Sequence, residues 1–373
     1  VLKHGGIPTI AKQNQRIAVF LPGIMGSTLE QGGVRLWSKS AWDIYETLVD
    51  NPGRLMYHGA PARATDILSD IQMAKIFKRH LYTETLEYLK SHPDFSKANN
   101  TLLFAYDWRQ AINETIVELK QRLISEYGLA YDARGKAIRD VDKSFVLIGH
   151  SLGGLILLLS AFRRLIHPRN IESLILVGAP LTGSPRSFRS LFDRAGIPLL
   201  EDLIEFWWGK NAELALRSLR TVLQSCPSVF ELMPPVQEQF VWNDNRKYAG
   251  HPFHDKILDT KMTKSASRTH QEINAALKDS VITRNKLYLI YGLGWSTDEF
   301  YFVQRQSNPL LPYHLIPPYL KETREGDGTV TCYSATRRGA LRSINKAIPV
   351  ALVKHSQMCN SRRIVDILKT IVR

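Results

Sequence analysis

The chain has 373 residues, of which 44% are hydrophobic and 23% charged, the balance of a globular protein rather than of a disordered or fibrous one. No apolar run approaches the roughly 18–20 residues of a membrane-spanning helix, and the three cysteines, Cys226, Cys332 and Cys359, are too few and too scattered for a disulfide framework or a Cys/His metal cluster. The formal net charge of +14 comes from dispersed cations, with short clusters at Arg163-Arg164, Arg337-Arg338 and Arg362-Arg363. This charge reads either as a solvated basic face or as attraction to anionic lipid head groups or another polyanion, and the chain carries no nucleic-acid motif.

Six short apolar runs punctuate the chain and predict strands buried on both faces of a parallel sheet. The first, residues 17–21, runs directly into the glycine-bearing turn Pro22-Gly23-Ile24-Met25-Gly26. Residues 30–100 follow as a mixed stretch, in part an insertion near the site, with Trp37, Trp42, Tyr45 and Met56 set among charges. The second run is 101–105. Ile112, Ile116, Leu119 and Leu123 then recur at helical spacing and predict one apolar helix face. The third run, 145–148, ends in Gly149-His150-Ser151-Leu152-Gly153-Gly154 and continues at once into Leu155-Ile156-Leu157-Leu158-Leu159, which predicts strand, sharp turn and buried helix. The fourth run is 174–177. Residues 186–284 carry no clear strand and are expected to form a cap or lid inserted into the sheet domain. The fifth and sixth runs, 287–291 and 350–353, return to the sheet, and Ile364, Ile367, Leu368 and Ile371 predict a terminal amphipathic helix. The fold class is therefore α/β, a mostly parallel sheet flanked by helices, with a core at 1–185 and 285–373 and the cap at 186–284.

The strand–turn–helix context turns a common G-x-S-x-G pattern into a candidate nucleophile at Ser151, because such a turn holds the hydroxyl out at the end of the strand. A serine hydroxyl needs a base, and the base an acid to orient it, in the chain order Ser, Asp or Glu, His. Downstream of Ser151 stand His167, His251, His254, His270, His314 and His355, and only His355 follows the last predicted strand, where a sheet delivers residues to the crevice at its carboxyl edge. Asp327, flanked by glycines in Glu325-Gly326-Asp327-Gly328, is the first candidate for the acid, and Asp298 the second. The oxyanion of a tetrahedral intermediate would be met by the backbone N–H of Leu152 and a second N–H from the early glycine turn, that of Ile24 first and of Met25 second.

Five separated motifs together give the chain its resemblance to the lecithin:cholesterol acyltransferase family, which includes lysosomal phospholipase A2 and phospholipid:diacylglycerol acyltransferase. They are Pro22 to Leu29, Tyr106-Asp107-Trp108-Arg109, the Gly149 to Gly154 elbow, Gly326 to Val330, and His355 with Met358. Weaker echoes are Gly178-Ala179-Pro180 with Gly183-Ser184, and Pro227-Ser228 with Glu231 to Pro234. The resemblance implies an α/β-hydrolase fold, a catalytic triad of Ser151, Asp327 and His355, a lid facing lipid, and cleavage of a glycerophospholipid ester through an acyl-serine. The acyl group would then pass to water or an alcohol, with no cofactor and no metal. Asp107 and Arg109 would brace loops around the site, or form an internal salt bridge. The three cysteines do not reproduce the disulfides of secreted members, and Ile24 stands where some members carry a polar residue.

Trp207 and Trp208 are candidates for lipid contact, with lining of the acyl pocket or burial in the cap as the alternatives. Expected partners are a phospholipid or other lipid ester and, peripherally, an anionic membrane surface, with no nucleic acid. Residues 1–6 do not read as a signal peptide. A cytoplasmic setting is the simpler expectation, and an exported protein with its signal removed the other. Two further readings stand beside the lipid enzyme: a soluble carboxylesterase or lipase on smaller or neutral esters, and a catalytically silent scaffold of the same fold used for binding.

Overall fold

Six parallel strands form the sheet that positions the site. They are β1 (Gln15–Leu21), β2 (Thr101–Leu103), β3 (Lys143–His150), β4 (Ile171–Val177), β5 (Leu287–Leu293) and β6 (Ala347–Ala351), in the spatial order β6-β5-β4-β3-β1-β2. The structure is a computed structural model and describes residues 14–373 apart from 75–76, 193–210, 236–237, 239–240, 243–259, 285, 306–312, 324, 338–340 and 342–345. Each of the six predicted runs supplies one strand. Ile17 to Leu21, Phe145 to Ile148 and Leu174 to Val177 are buried without a break, as strands covered on both faces must be. The last strand begins earlier than its apolar run suggests: β6 ends at Ala351, and Leu352 turns outward at φ 60°, two-thirds exposed.

The chain leaves β1 for its neighbour β2 on one side, then crosses back to lay β3 on the other. That reversal opens a crevice at the carboxyl ends of β1 and β3. Leu21 pairs in register with Gly149, so the loop after β1 and the turn after β3 emerge side by side.

Helices flank the sheet. In chain order they include α1 (Thr83–Ser91), α2 (Ile112–Tyr127), α3 (Leu152–Phe162), α4 (Pro185–Phe192), α5 (Ala212–Gln224), α6 (Pro227–Glu231), α7 (Thr260–Ala276) and α8 (Arg362–Ile371). Ile112, Ile116, Leu119 and Leu123 are all buried along α2, as their spacing predicts. Residues 152–161 of α3 are buried all round, because this helix packs on β3, β4 and β1 with α2 and α7 over its outer side. Each Leu or Ile so placed contributes about 1.5–3 kcal/mol of transfer free energy. No helix among the described residues is long and apolar enough to cross a membrane. Cys226, Cys332 and Cys359 are buried free thiols.

Period-2 structure escapes a search for continuous apolar runs. Thr297–Arg305 and Tyr313–Thr323 pair antiparallel, and the two-residue strand Val241–Trp242 adds to the first of them, so the 186–284 segment does contain a strand. Residues 30–100 build two small antiparallel sheets, Ser27–Gln31 with Val34–Trp37 and Arg63–Ile67, and Asp70–Ala74 with Phe77–His80.

Glu231 ties three helices together. Its Oε2 accepts the Ile112 N–H at 2.7 Å, at the amino end of α2, and its Oε1 accepts the hydroxyls of Thr269 at 2.7 Å and Ser265 at 3.3 Å on α7. The carboxyl is wholly buried, and burial outweighs those three donors, raising its pKa from 4.5 to about 7. An acid raised in the folded state stabilises fully below its unfolded pKa and loses that contribution as pH rises through its folded one. The loss between pH 4.5 and pH 7 and above is on the order of 3 kcal/mol. Thermal melts of the wild type and Glu231→Gln at pH 5 and pH 8 check this: the wild type should lose stability relative to the variant on going to pH 8, and a relative gain would contradict the account.

Candidate active site

Ser151 sits between β3 and α3 at φ 53°, ψ −120°, a conformation that a non-glycine residue holds only when its surroundings impose it. Its N–H donates to the Val177 carbonyl at 2.9 Å, and its own carbonyl accepts from Gly154 N–H at 3.0 Å. The strand thus ends and the helix begins on the same residue, which aims the side chain into the crevice. Gly153 is required by close approach: a Cβ there would stand 2.4 Å from the Pro22 carbonyl oxygen and 2.5 Å from that of Leu21. As the first residue of α3, Leu152 has an N–H that the helix itself leaves without an acceptor.

The loop after β1 closes a turn in which Gly26 N–H donates to the Gly23 carbonyl at 3.0 Å, with Ile24 and Met25 at its centre and Met25 at φ 60°. Both line the same cleft as Ser151. The turn is held from outside. The Tyr106 hydroxyl donates to the Pro22 carbonyl at 2.8 Å, and the Trp37 indole N–H donates to the Met25 carbonyl at 3.1 Å. Trp37 meets Trp108 edge-on with centroids 5.5 Å apart.

Asp107 and Arg109, next in the same motif, form a buried ion pair, with Nη2 to Oδ2 at 2.6 Å and Nε to Oδ1 at 2.9 Å. Asp107 also accepts the Ala62 N–H at 2.7 Å, and Arg109 donates to the Leu55 carbonyl at 3.0 Å. The pair therefore braces the 55–62 segment rather than facing the cleft. The adjacent Trp108 carbonyl accepts the Ser228 hydroxyl at 2.6 Å, which fastens α6 to the same point.

His355 and Asp327 meet on the other side of Ser151. His355 Nδ1 donates to Asp327 Oδ2 at 2.8 Å, and the His355 backbone N–H donates to the Asp327 carbonyl, also at 2.8 Å. That partner fixes the tautomer, leaving Nε2 as the basic nitrogen. Asp327 Oδ1 accepts the N–H groups of Thr329 at 3.0 Å and Val330 at 2.7 Å, so both carboxylate oxygens are committed. Gly178, at φ 60° past the end of β4, leaves space for the imidazole: a Cβ there would lie 3.1 Å from His355 Nδ1 and 2.9 Å from the sulfur of buried Met358. Asp298, the second candidate for the acid, lies elsewhere. Its buried carboxylate accepts from the Tyr301 hydroxyl and faces Arg186 at 3.9 Å and Arg189 at 3.6 Å. Ser151 and His355 line one apolar cleft of about 130 Å³ with Leu81, Leu223, Val229 and Leu232. Trp207 and Trp208 lie outside the described residues. No group of three or more His, Cys, Asp or Glu among the described residues is arranged to hold a metal ion.

A second layer joins the two halves, and sequence inspection misses it. Gly23 N–H donates to the Tyr82 hydroxyl at 3.0 Å, Tyr82 donates to His150 Nδ1 at 3.1 Å, and His150 Nε2 donates to the His355 carbonyl at 3.1 Å. Since the His355 carbonyl can only accept, His150 Nε2 carries the ring proton and Nδ1 accepts from the Tyr82 hydroxyl, which assigns the His150 tautomer. Burial, reinforced by the neighbouring His355, pushes the His150 pKa well below 6.5 and keeps the ring neutral. His150 was visible inside the elbow motif. Tyr82 stands 68 positions earlier, in no motif.

Sheet order, strained elbow and the three loops that converge on it define an α/β-hydrolase. The chain belongs to the lecithin:cholesterol acyltransferase family, whose family model matches residues 57–283. It is 24% identical over 330 residues to lecithin-cholesterol acyltransferase-like 4 of Arabidopsis thaliana, a match that takes in 74% of this chain and 56% of that protein. The chain thus spans a little over half the length of that relative. Among solved structures it is similar to the Tle4-Tli4 complex, with a TM-score of 0.53 and 13% identity, over 96% of this chain and 99% of that one. It also matches the mature lipase BlEst2 of Bacillus licheniformis, at a TM-score of 0.39 and 11% identity over 96% and 92% of the two chains.

Tyr82→Phe leaves the Gly23 N–H and His150 Nδ1 buried without partners, at an expected cost of about 1–3 kcal/mol. Urea unfolding measures it, and an unchanged midpoint would show that the relay carries no stability.

Proposed function

We propose that the protein is a serine-dependent acyl hydrolase or acyltransferase acting on lipid esters, with Ser151 as nucleophile, His355 as general base and acid, and Asp327 as the group that orients His355. The observation that carries this reading is the 2.8 Å bond from His355 Nδ1 to Asp327 in a cleft that also holds Ser151 on its strained elbow. Family membership supports the same class of chemistry.

In this mechanism Ser151 Oγ attacks the ester carbonyl while His355 Nε2 takes its proton. The oxyanion is received by the N–H of Leu152 and by that of Ile24 or Met25 across the cleft, donors worth about 3–4 kcal/mol each in the transition state. Collapse of the intermediate passes the proton from His355 to the departing alcohol and leaves an acyl-Ser151. His355 then activates water or an acceptor alcohol, and the serine is released. The apolar cleft suits an acyl chain, and a glycerophospholipid is the proposed ester. In this reading residues 186–284 cap the cleft and Trp207 and Trp208 meet the lipid. The protein works at the surface of an anionic membrane, to which its +14 charge draws it.

A fluorophosphonate probe tests the nucleophile. Peptide mapping should place the label on Ser151, and His355→Ala should slow labelling on the order of 100-fold or more, the usual contribution of a general base. Labelling elsewhere, or labelling indifferent to His355→Ala, would overturn the assignment.

A further inference from the structure

The two loops that flank Ser151 come from opposite ends of the chain, and two buried side chains join them across the crevice. The Tyr82 hydroxyl takes the Gly23 N–H at 3.0 Å and gives its own proton to His150 Nδ1 at 3.1 Å, and His150 Nε2 gives its proton to the His355 carbonyl at 3.1 Å. The His150 ring lies 4.8 Å from that of His355, tilted by 37°, and meets Tyr82 edge-on at 5.6 Å. Space on the other side is as tight: a Cβ on Gly23 would stand 3.0 Å from both His150 Nδ1 and Ser151 Cβ. His150 therefore stands against the early glycine turn, the nucleophile and the base at once.

The bond to Asp327 fixes the rotation of the His355 ring, but Asp327 and His355 both stand on loops and that bond alone lets them travel together. His150 is the last residue of β3, so its bond to the His355 carbonyl ties the pair to the sheet, where side chains are held more precisely than on loops. Resting on the serine-esterase reading above, we infer that His150 is a positioning residue for that reaction: through Nε2–H it holds the main chain of His355 within reach of Ser151, and through Tyr82 it keeps the oxyanion turn in step with the base. Its partner at each ring nitrogen is uncharged, and burial keeps the ring itself neutral. A neutral ring at this distance does not oppose the imidazolium that His355 becomes twice in each turnover, as a second cation would. Loss of the bond to His355 costs rate by misplacing the base, and a shift of about 1 Å is enough for about 100-fold.

Substitutions at position 150 separate its two bonds. Glutamine carries an amide N–H at about the reach of Nε2, and asparagine an amide oxygen at about the reach of Nδ1. With a soluble short-chain ester, His150→Ala should lower the Ser151-dependent kcat about 100-fold and move KM less than about threefold. His150→Gln should recover at least about tenfold of that loss, and His150→Asn should not. Tyr82→Phe should lower kcat about tenfold, and adding it to His150→Ala should cost nothing further, since both break one relay. A loss confined to KM, recovery by asparagine rather than glutamine, or full additivity of the two substitutions would overturn the proposal. A second arm needs no turnover. In protein labelled with nitrogen-15 at histidine, solvent exchange of the His355 Nδ1 proton reports how firmly the pair with Asp327 is held. Exchange should quicken at least about tenfold in His150→Asn and return toward the wild-type rate in His150→Gln, and exchange unchanged in both would overturn the positioning role. Ser151-dependent hydrolysis with a kcat indifferent to position 150 sinks this inference alone. The expected exchange pattern without any Ser151-dependent hydrolysis sinks the esterase reading and leaves His150 as the group that holds His355 in place.

Discussion

Between the first turn of α3 and the loop that leaves β1 there is room at residue 153 for a hydrogen atom and nothing larger, since a methyl group would stand 2.4 Å from the Pro22 carbonyl oxygen. Backbone this close couples the two loops on which the site is built. The turn that puts Ser151 in a strained conformation and the turn that carries Ile24 and Met25 touch through main chain, so neither can shift without the other. Tyr106, Trp37 and Trp108 press on the same loop from outside, and the buried Asp107–Arg109 pair anchors the loop after β2 that carries Tyr106 and Trp108. Strain at Ser151 of the order of 1–3 kcal/mol persists because so many contacts over-determine it.

The histidine side is built differently. Asp327 and His355 are 28 positions apart on loops, yet they are joined twice, through side chains and through main chain. The aspartate is fixed by its own turn, and His355 is fixed by Asp327, by the space at Gly178 and by the short helical turn His355–Asn360, which packs against α1. The Tyr82–His150 relay then connects this half to the elbow half. Every polar atom in it is a neutral donor or acceptor with a partner, so the relay can be buried at little net cost.

Much of this was legible in the sequence because much of it is local. Buried parallel strands must be apolar on both faces, so six apolar runs mark six strands. The elbow is a continuous motif of strand, glycine-flanked serine and helix. Ser151, Asp327 and His355 were singled out by residue type and chain order, but order alone left Asp298 in contention, because a carboxylate's partner is a three-dimensional fact. Asp298 follows the fifth apolar run more closely in the chain, and only the structure shows it held by Tyr301 with Arg186 and Arg189. The hairpin at Thr297–Arg305 and Tyr313–Thr323 went unread because its strands mix apolar residues with charges and a Pro317-Pro318 pair. The end of β6 was misjudged because Leu352 extends an apolar run while pointing to solvent. The role of Tyr82 carries no sequence signal, since it acts through partners remote in the chain.

The central claim is that Ser151 carries the acyl group between two half-reactions. Rapid-quench mass spectrometry of the intact protein with a short-chain phospholipid tests it most directly. Within the first turnover the account predicts a mass increase of one acyl chain, mapped to the peptide containing Ser151, rising and decaying at rates that match steady-state turnover. Turnover with no such adduct, or an acyl group found on another residue, would contradict it.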